Sequence, residues 1–221
     1  MNRLAFDAVV LAGGRGSRLG GVDKATLTLG GERLVDRAVA AVRAAGAEHV
    51  VVVGPDHAGG DGVIVVREDP PFAGPLAALA AALPALHSEW VLLLSCDLVR
   101  PDRVCEALVG TTAPVILREL ANRRISPEET DTGLQSTGSF DGCALRDSEG
   151  RPQWLAGLYR VTSLRTGAQR LGTDLENAPL RRLLGTLDLH WIDALPEVTA
   201  DIDNPDDLER ARTLNAQRRT P

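Results

Sequence analysis

The sequence predicts an α/β protein built as a three-layer, mostly parallel, doubly wound sheet. Compact apolar runs at Phe6–Leu11, Val50–Val53 and residues 91–94 have the length and composition of parallel strands buried on both faces. Amphipathic helical patterns separate them, and such alternation implies a sheet whose ligands bind at the carboxyl ends of the strands. At 221 residues the chain suits one large domain, and residues 1–221 are read as such.

The first run ends in glycine. Leu34, Val35, Ala38, Val39 and Val42 then share one helix face, with Gly46 as the stop. Residues 63–66 form a further short strand. Pro75 opens a helix to about Leu86, ended or bent by Pro84. Another helix begins near Pro101 and stops at Gly110. The rhythm then breaks, because residues 118–152 are rich in Ser, Thr, Gly, Asp and Glu, and most of this stretch reads as a long mobile loop or lid. Order returns with a strand at 154–159, helices near 164–171 and 180–184, a strand at 189–192 and a final helix from Pro205.

Composition narrows the function. Apolar residues at 44% and charged residues at 24% are ordinary for a globular protein, whereas aromatics at 3% leave the core to aliphatic side chains. The net charge of -6 and the dispersed arginines argue against a nucleic-acid or anionic-membrane surface. A small diffusible partner is expected. Cys96, Cys105 and Cys143 are odd in number and lack C-x-x-C spacing, so reduced thiols are expected and neither a disulfide framework nor a zinc site. No signal-type segment and no long uncharged apolar stretch is present, which makes a cytoplasmic location the expectation.

Lys24 is the only lysine; the remaining 23 of the 24 basic residues are arginines. It follows a turn containing Gly13, Gly14, Gly16, Gly20 and Gly21, whose backbone amides can approach a phosphate without interference from Cβ atoms. A compact ammonium can be required there where a planar guanidinium fork would not fit. Arg18, in the same loop, offers a bidentate phosphate contact. The loop is not a Walker A motif, since Asp23 and Ala25 flank the lysine, nor a dinucleotide fingerprint, since Leu19 stands where the third glycine is required.

Asp97 ends an otherwise apolar strand at the edge where a ligand would sit, so its carboxylate is the candidate ligand for Mg²⁺. The alternative, a cap for the helix near Pro101, places it several residues too early. Asp201 and Asp203 alternate along an extended segment, which lets both face the cleft beside Asp97 as further metal contacts. Asp203 or Asn204 can also cap the last helix. No histidine or serine has the setting of a covalent catalyst.

The segment L-A-G-G-x-x-x-R-x-G-G-x-D-K over residues 11–24 resembles the signature of the molybdenum cofactor guanylyltransferases (MobA-like) of the Rossmann-like nucleotidyltransferase fold, with Leu19 where the family usually has Met. "REDPPFAGPLAAL" is similar to the family's acidic residue followed by G-P-L-A, "LLSCDL" to its metal-binding C-D, and "DIDNPDDL" to N-x-N-T-P-E-D-L. The resemblance implies a nucleotide site formed by Leu11, Ala12, Gly13, Gly14, Lys24, Gly54, Asp69 and Asp97, with Lys24, Arg18 and Asp97 catalytic. Two departures stand out: Gly54 replaces a common Asn, and Asp201 and Asp203 occupy positions that are usually Asn.

The implied reaction transfers GMP from GTP to a molybdopterin-type phosphorylated acceptor with Mg²⁺ as cofactor and pyrophosphate as the leaving group. Positioning and charge stabilisation dominate such chemistry. The residues leave open a cytidylyltransferase on the same cofactor, transfer to another phosphorylated metabolite, or a nucleotide-binding partner without catalysis. A monomer is expected, with molybdoenzyme maturation partners implied by the resemblance.

Overall fold

The computed structural model describes residues 4–14, 24–125 and 140–217. β1 (Phe6–Leu11) is buried along its whole length. A 3-10 turn (Lys24–Thr26) and a small hairpin, β2 (Thr28–Leu29) and β3 (Glu32–Arg33), lead into α1 (Leu34–Ala45). Gly46 closes α1 in the left-handed conformation, its N–H donating to the Val42 and Arg43 carbonyls, which is how glycine ends a helix. β4 (Val50–Val53), β5 (Ile64–Val66), α2 (Pro75–Ala82), β6 (Trp90–Ser95) and α3 (Pro101–Ile125) follow. The later elements are β7 (Gly142–Arg146), β8 (Pro152–Arg160), α4 (Val161–Leu171), α5 (Arg181–Leu184), β9 (Leu189–Asp193), α6 (Pro196–Thr199) and α7 (Pro205–Gln217).

Among the described residues the main sheet has the order β5-β4-β1-β6-β8-β7-β9. β1 pairs in parallel with β4 and β6, and β4 with β5, so the three apolar runs form the centre as expected. β8 runs antiparallel to both β6 and β7, while β7 and β9 are parallel. Alternate residues of β1 feed opposite cores: Phe6, Ala8 and Val10 meet Val35 of α1 and Leu108 of α3, whereas Val9 and Leu11 meet Leu76 and Leu79 of α2 and Leu164 of α4. That alternation produces the three layers. No helix among the described residues is long and apolar enough to cross a membrane.

The expectation for residues 118–152 needs correction at both ends. α3 does not stop at Gly110 but continues to Ile125, because Val104, Leu108, Thr112 and Ile116 recur at i+4 on a buried face that outweighs the roughly 1 kcal/mol cost of a mid-helix glycine. β7 lies inside the same stretch: Cys143, Ala144 and Leu145 are buried between β8 and β9, and Thr112 Oγ1 lies 2.7 Å from Cys143 Sγ. Three apolar residues, Cys143, Ala144 and Leu145, make a sheet strand when neighbours exist on both sides, and those neighbours come from later in the chain. The part of the expected lid at 126–139 lies outside the described residues. Cys96, Cys105 and Cys143 are buried and outside any disulfide among the described residues; burial pushes Cys105 up to about 12 and Cys143 up to about 11.

Candidate functional site

The carboxyl ends of β1 and β6 open into a cleft of about 730 Å³. Leu11 ends β1, the Ala12 N–H donates to the Val53 carbonyl at 2.8 Å, and Gly13 and Gly14 turn the chain out over the cleft. Gly14 has φ +150°, a conformation that favours glycine, and a Cβ there would lie 4.0 Å from the Lys24 side chain. The loop and the lysine are therefore neighbours. Arg18 lies outside the described residues.

On the next strand, the Cys96 N–H donates to the Leu11 carbonyl at 3.0 Å, which leads Asp97 directly to the cleft. The Asp97 side chain is only 8% exposed. The Ser95 hydroxyl donates to Asp97 Oδ1, and Lys24 Nζ donates to Asp97 Oδ2 at 2.5 Å and to Asp203 Oδ1 at 3.0 Å. These contacts span 73 and 179 residues of sequence. Burial alone would depress the Lys24 pKa, but the charge and hydrogen bonds of Asp97 and Asp203 together outweigh it and raise the pKa, so the ammonium is fully held.

The segment before α7 is tied to the Asp97 strand end. The Ile202 N–H donates to the Asp97 carbonyl at 3.0 Å, Asp201 bridges Leu98, and Ile202 is fully buried between the two acidic residues. Both Asp201 and Asp203 consequently line the cleft, as their alternation predicted. Burial and the like charges of Asp203 and Asp97 push Asp201 up to about 6. The helix cap falls to Asn204: its Oδ1 accepts the Asp207 N–H at 3.0 Å, and Asp207 Oδ2 accepts the Asp203 and Asn204 N–H groups, a reciprocal box that leaves the Asp203 carboxylate directed at Lys24.

Leu11, Gly13, Gly14, Lys24, Asp97, Asp201 and Asp203 thus meet in one cleft, whereas Ala12, Gly54 and Asp69 are not among the residues lining it. Gly54 packs behind the loop, where a Cβ would come within 3.3 Å of Ala12, and its N–H donates to the Val66 carbonyl. Asp69 is exposed. Its neighbour Glu68 is buried, lines the cleft, and accepts the Phe72 N–H at 2.9 Å through Oε1. Glu68, Phe72 and Trp154 are among the lining residues that the sequence did not single out. For Glu68 the signal was adjacency to Asp69; for Phe72 and Trp154 it was rarity, in a chain with 3% aromatics.

Among the described residues, Asp7, Glu48 and His49 form a group whose metal-ligating atoms all lie within 4.8 Å of one another. It sits at the amino end of β1 and β4, opposite the cleft. Asp7 there accepts the His87 and Ser88 N–H groups at 2.6 and 2.9 Å and the Ser88 hydroxyl at 2.9 Å, with His49 Nδ1 3.1 Å away, so its oxygens already serve in joining three strand starts.

Comparisons with known proteins bear on the family and the fold. The chain is 39% identical over 100 residues to a molybdenum cofactor guanylyltransferase of Pseudomonas putida, a match covering 43% of this chain and 52% of that one. It spans about half the length of the curated relatives it matches. At the level of fold, it is similar to the molybdopterin-guanine dinucleotide biosynthesis protein A of Archaeoglobus fulgidus, with a TM-score of 0.62, 18% identity and coverage of 96% of this chain and 99% of that one. A Mycobacterium tuberculosis protein solved in complex with manganese gives a TM-score of 0.58 at 18% identity, covering 95% and 98%. The family model described as the MobA-like NTP transferase domain matches residues 8–190, most of the chain, and the protein belongs to this family.

Proposed function

We propose that this protein transfers GMP from GTP to a molybdopterin-type phosphorylated acceptor, releasing pyrophosphate. One observation carries the reading: the only lysine, beside a glycine turn at the end of β1, has its ammonium seated between two carboxylates at the end of β6. A positive charge held by Asp97 and Asp203 at 2.5 and 3.0 Å is a stand-in for a cation, and the all-oxygen donor set of Asp97, Asp203 and the neighbouring Asp201 suits Mg²⁺. Asp97 and Asp203 would hold the ion, with Asp201 beside them. When bound, Mg²⁺ supplies positive charge to the transferring and leaving phosphate oxygens.

In this reading, the Gly13 and Gly14 amides face the triphosphate, and Arg18 adds a phosphate contact. Lys24, displaced from its carboxylates, moves its point charge onto phosphate oxygens, where fixed charge stabilises the transition state. Glu68, not Asp69, is the acidic residue on the nucleoside side. Partners are small molecules.

The test is pyrophosphate release from GTP, CTP, ATP and UTP with molybdopterin, with and without Mg²⁺. Turnover with GTP that requires Mg²⁺ and acceptor supports the proposal. Turnover only with CTP would make the protein a cytidylyltransferase, and binding without turnover would leave only a nucleotide-binding role.

A further inference from the structure

The cleft has a second wall that the nucleotide residues do not use. β8 pairs with β7 in a broken register, with Ala144 opposite Gly157 but the next residue, Leu145, opposite Gln153. Trp154, Leu155 and Ala156 are therefore extra on β8 relative to β7, although Ala156 still pairs with Leu94 of β6. Bulges of this kind re-aim side chains beside active sites. Here all three bulged residues line the cleft.

The bulge is built and held. Tyr159 is fully buried and donates its hydroxyl to the Trp154 carbonyl at 2.9 Å. Gly157 makes room for that ring, since a Cβ there would come within 2.5 Å of it. The Trp154 ring meets Trp191 edge to face, with centroids 5.4 Å apart at 74°, and the Arg146 guanidinium lies 6.0 Å from the Trp191 ring. Two of the chain's three tryptophans are thus spent on this wall.

We infer that the bulge is the platform for the acceptor, with Trp154 receiving a flat heteroaromatic ring system by stacking. The inference rests on the proposed transfer to a pterin-type acceptor. The sheet order separates the two substrates: Leu11, Glu68, Gly74 and Pro75 lie on the β1, β5 and α2 side of the Lys24–Asp97 pair, whereas β8 lies across β6 from β1. A ring on Trp154 approaches that pair from the side opposite the nucleoside. Aromatic stacking is sequence-tolerant and favours planar rings, which suits a pterin.

Biopterin, a pterin without phosphate, is the probe, titrated calorimetrically into wild-type protein, Trp154→Ala and Trp154→Phe. Saturable binding by wild type is expected, weakened about 5- to 150-fold in Trp154→Ala and largely kept in Trp154→Phe. GTP affinity stays the same in all three. The inference is overturned if wild type does not bind biopterin, if Trp154→Ala binds it as tightly as wild type, or if Trp154→Ala loses GTP instead. Should Trp154→Ala melt early, tryptophan emission decides: biopterin quenches wild type strongly and Trp154→Phe much less, and equal quenching overturns the inference. Turnover of molybdopterin by wild type judges the transfer reaction separately, so its absence refutes that reading while the titration still decides the platform.

Discussion

Replacing Lys24 by methionine separates the two jobs of its ammonium, holding the Asp97 and Asp203 carboxylates together and acting on phosphate. In the structure its side chain is 17% exposed, against 8% for Asp97 and 40% for Asp203. Breaking a buried pair by removing one partner costs about 3–5 kcal/mol, and the exposed Asp203 half is screened, so a loss of about 2–4 kcal/mol is expected. For a chain of this length that lowers Tm by about 4–16 °C. The sign with pH follows from the raised Lys24 pKa: the contribution is complete below the unfolded lysine value and disappears only as alkali deprotonates the folded group, so neutral pH shows it in full. Mg²⁺ should stabilise the two proteins by different amounts. In wild type the ion competes with the ammonium for Asp97 and Asp203; in Lys24→Met that competition is removed, and saturating Mg²⁺ restores more Tm than it adds to wild type. Turnover nevertheless falls about 10²- to 10³-fold, because Mg²⁺ does not replace the charge on phosphate. Scanning calorimetry over a Mg²⁺ series, with a pyrophosphate assay, reads all three effects. A variant as stable as wild type, with an equal or smaller Mg²⁺ shift, would refute the idea that ammonium and metal share one seat.

Lys24→Arg keeps the charge but not the compact head, so Tm should change little while turnover drops by the same order; near-normal turnover would show that the lone lysine is a compositional accident. Asp97→Asn should leave nucleotide binding measurable but nearly independent of Mg²⁺, and calorimetry that finds the Mg²⁺ dependence intact moves the metal elsewhere. Asp7 is fully buried; burial raises its pKa, but donors from Ser88, His87 and His49 outweigh it and hold the carboxyl below its ordinary value. Its stabilisation is present above the unfolded value of 3.8 and is lost as pH falls through the lower folded value, so Asp7→Asn should flatten the acid limb of a urea-denaturation series below about pH 4. Gly142→Ala puts a Cβ within 2.3 Å of the Leu158 carbonyl at φ +157°, and should cost about 1–3 kcal/mol or more; an unchanged Tm would mean that β7 contributes little to the core.

Local patterns in the sequence determined the central layers. Three short apolar runs, the first interrupted only by Asp7, had the length of strands buried on both faces, Gly46 marked a helix end because a left-handed residue was needed there, and Asp97 stood out as a charge at the end of an apolar strand. The lone lysine, too, was legible from composition. What the sequence could not state was distance: that Lys24 touches Asp97 and Asp203 follows from the Cys96–Leu11 and Ile202–Asp97 backbone bonds, which join segments far apart in the chain. Nor could it choose between neighbouring carboxylates, since Glu68 and Asp69 differ only in which way the turn points them. The helix past Gly110 and the strand at Gly142–Arg146 were hidden for the same reason. The strand lies between β8 and β9 and the helix packs on β7 and β8, partners supplied later in the chain, so only the assembled sheet decided that polar-looking sequence belongs to the core and that a bulge in β8 turns Trp154 into the cleft.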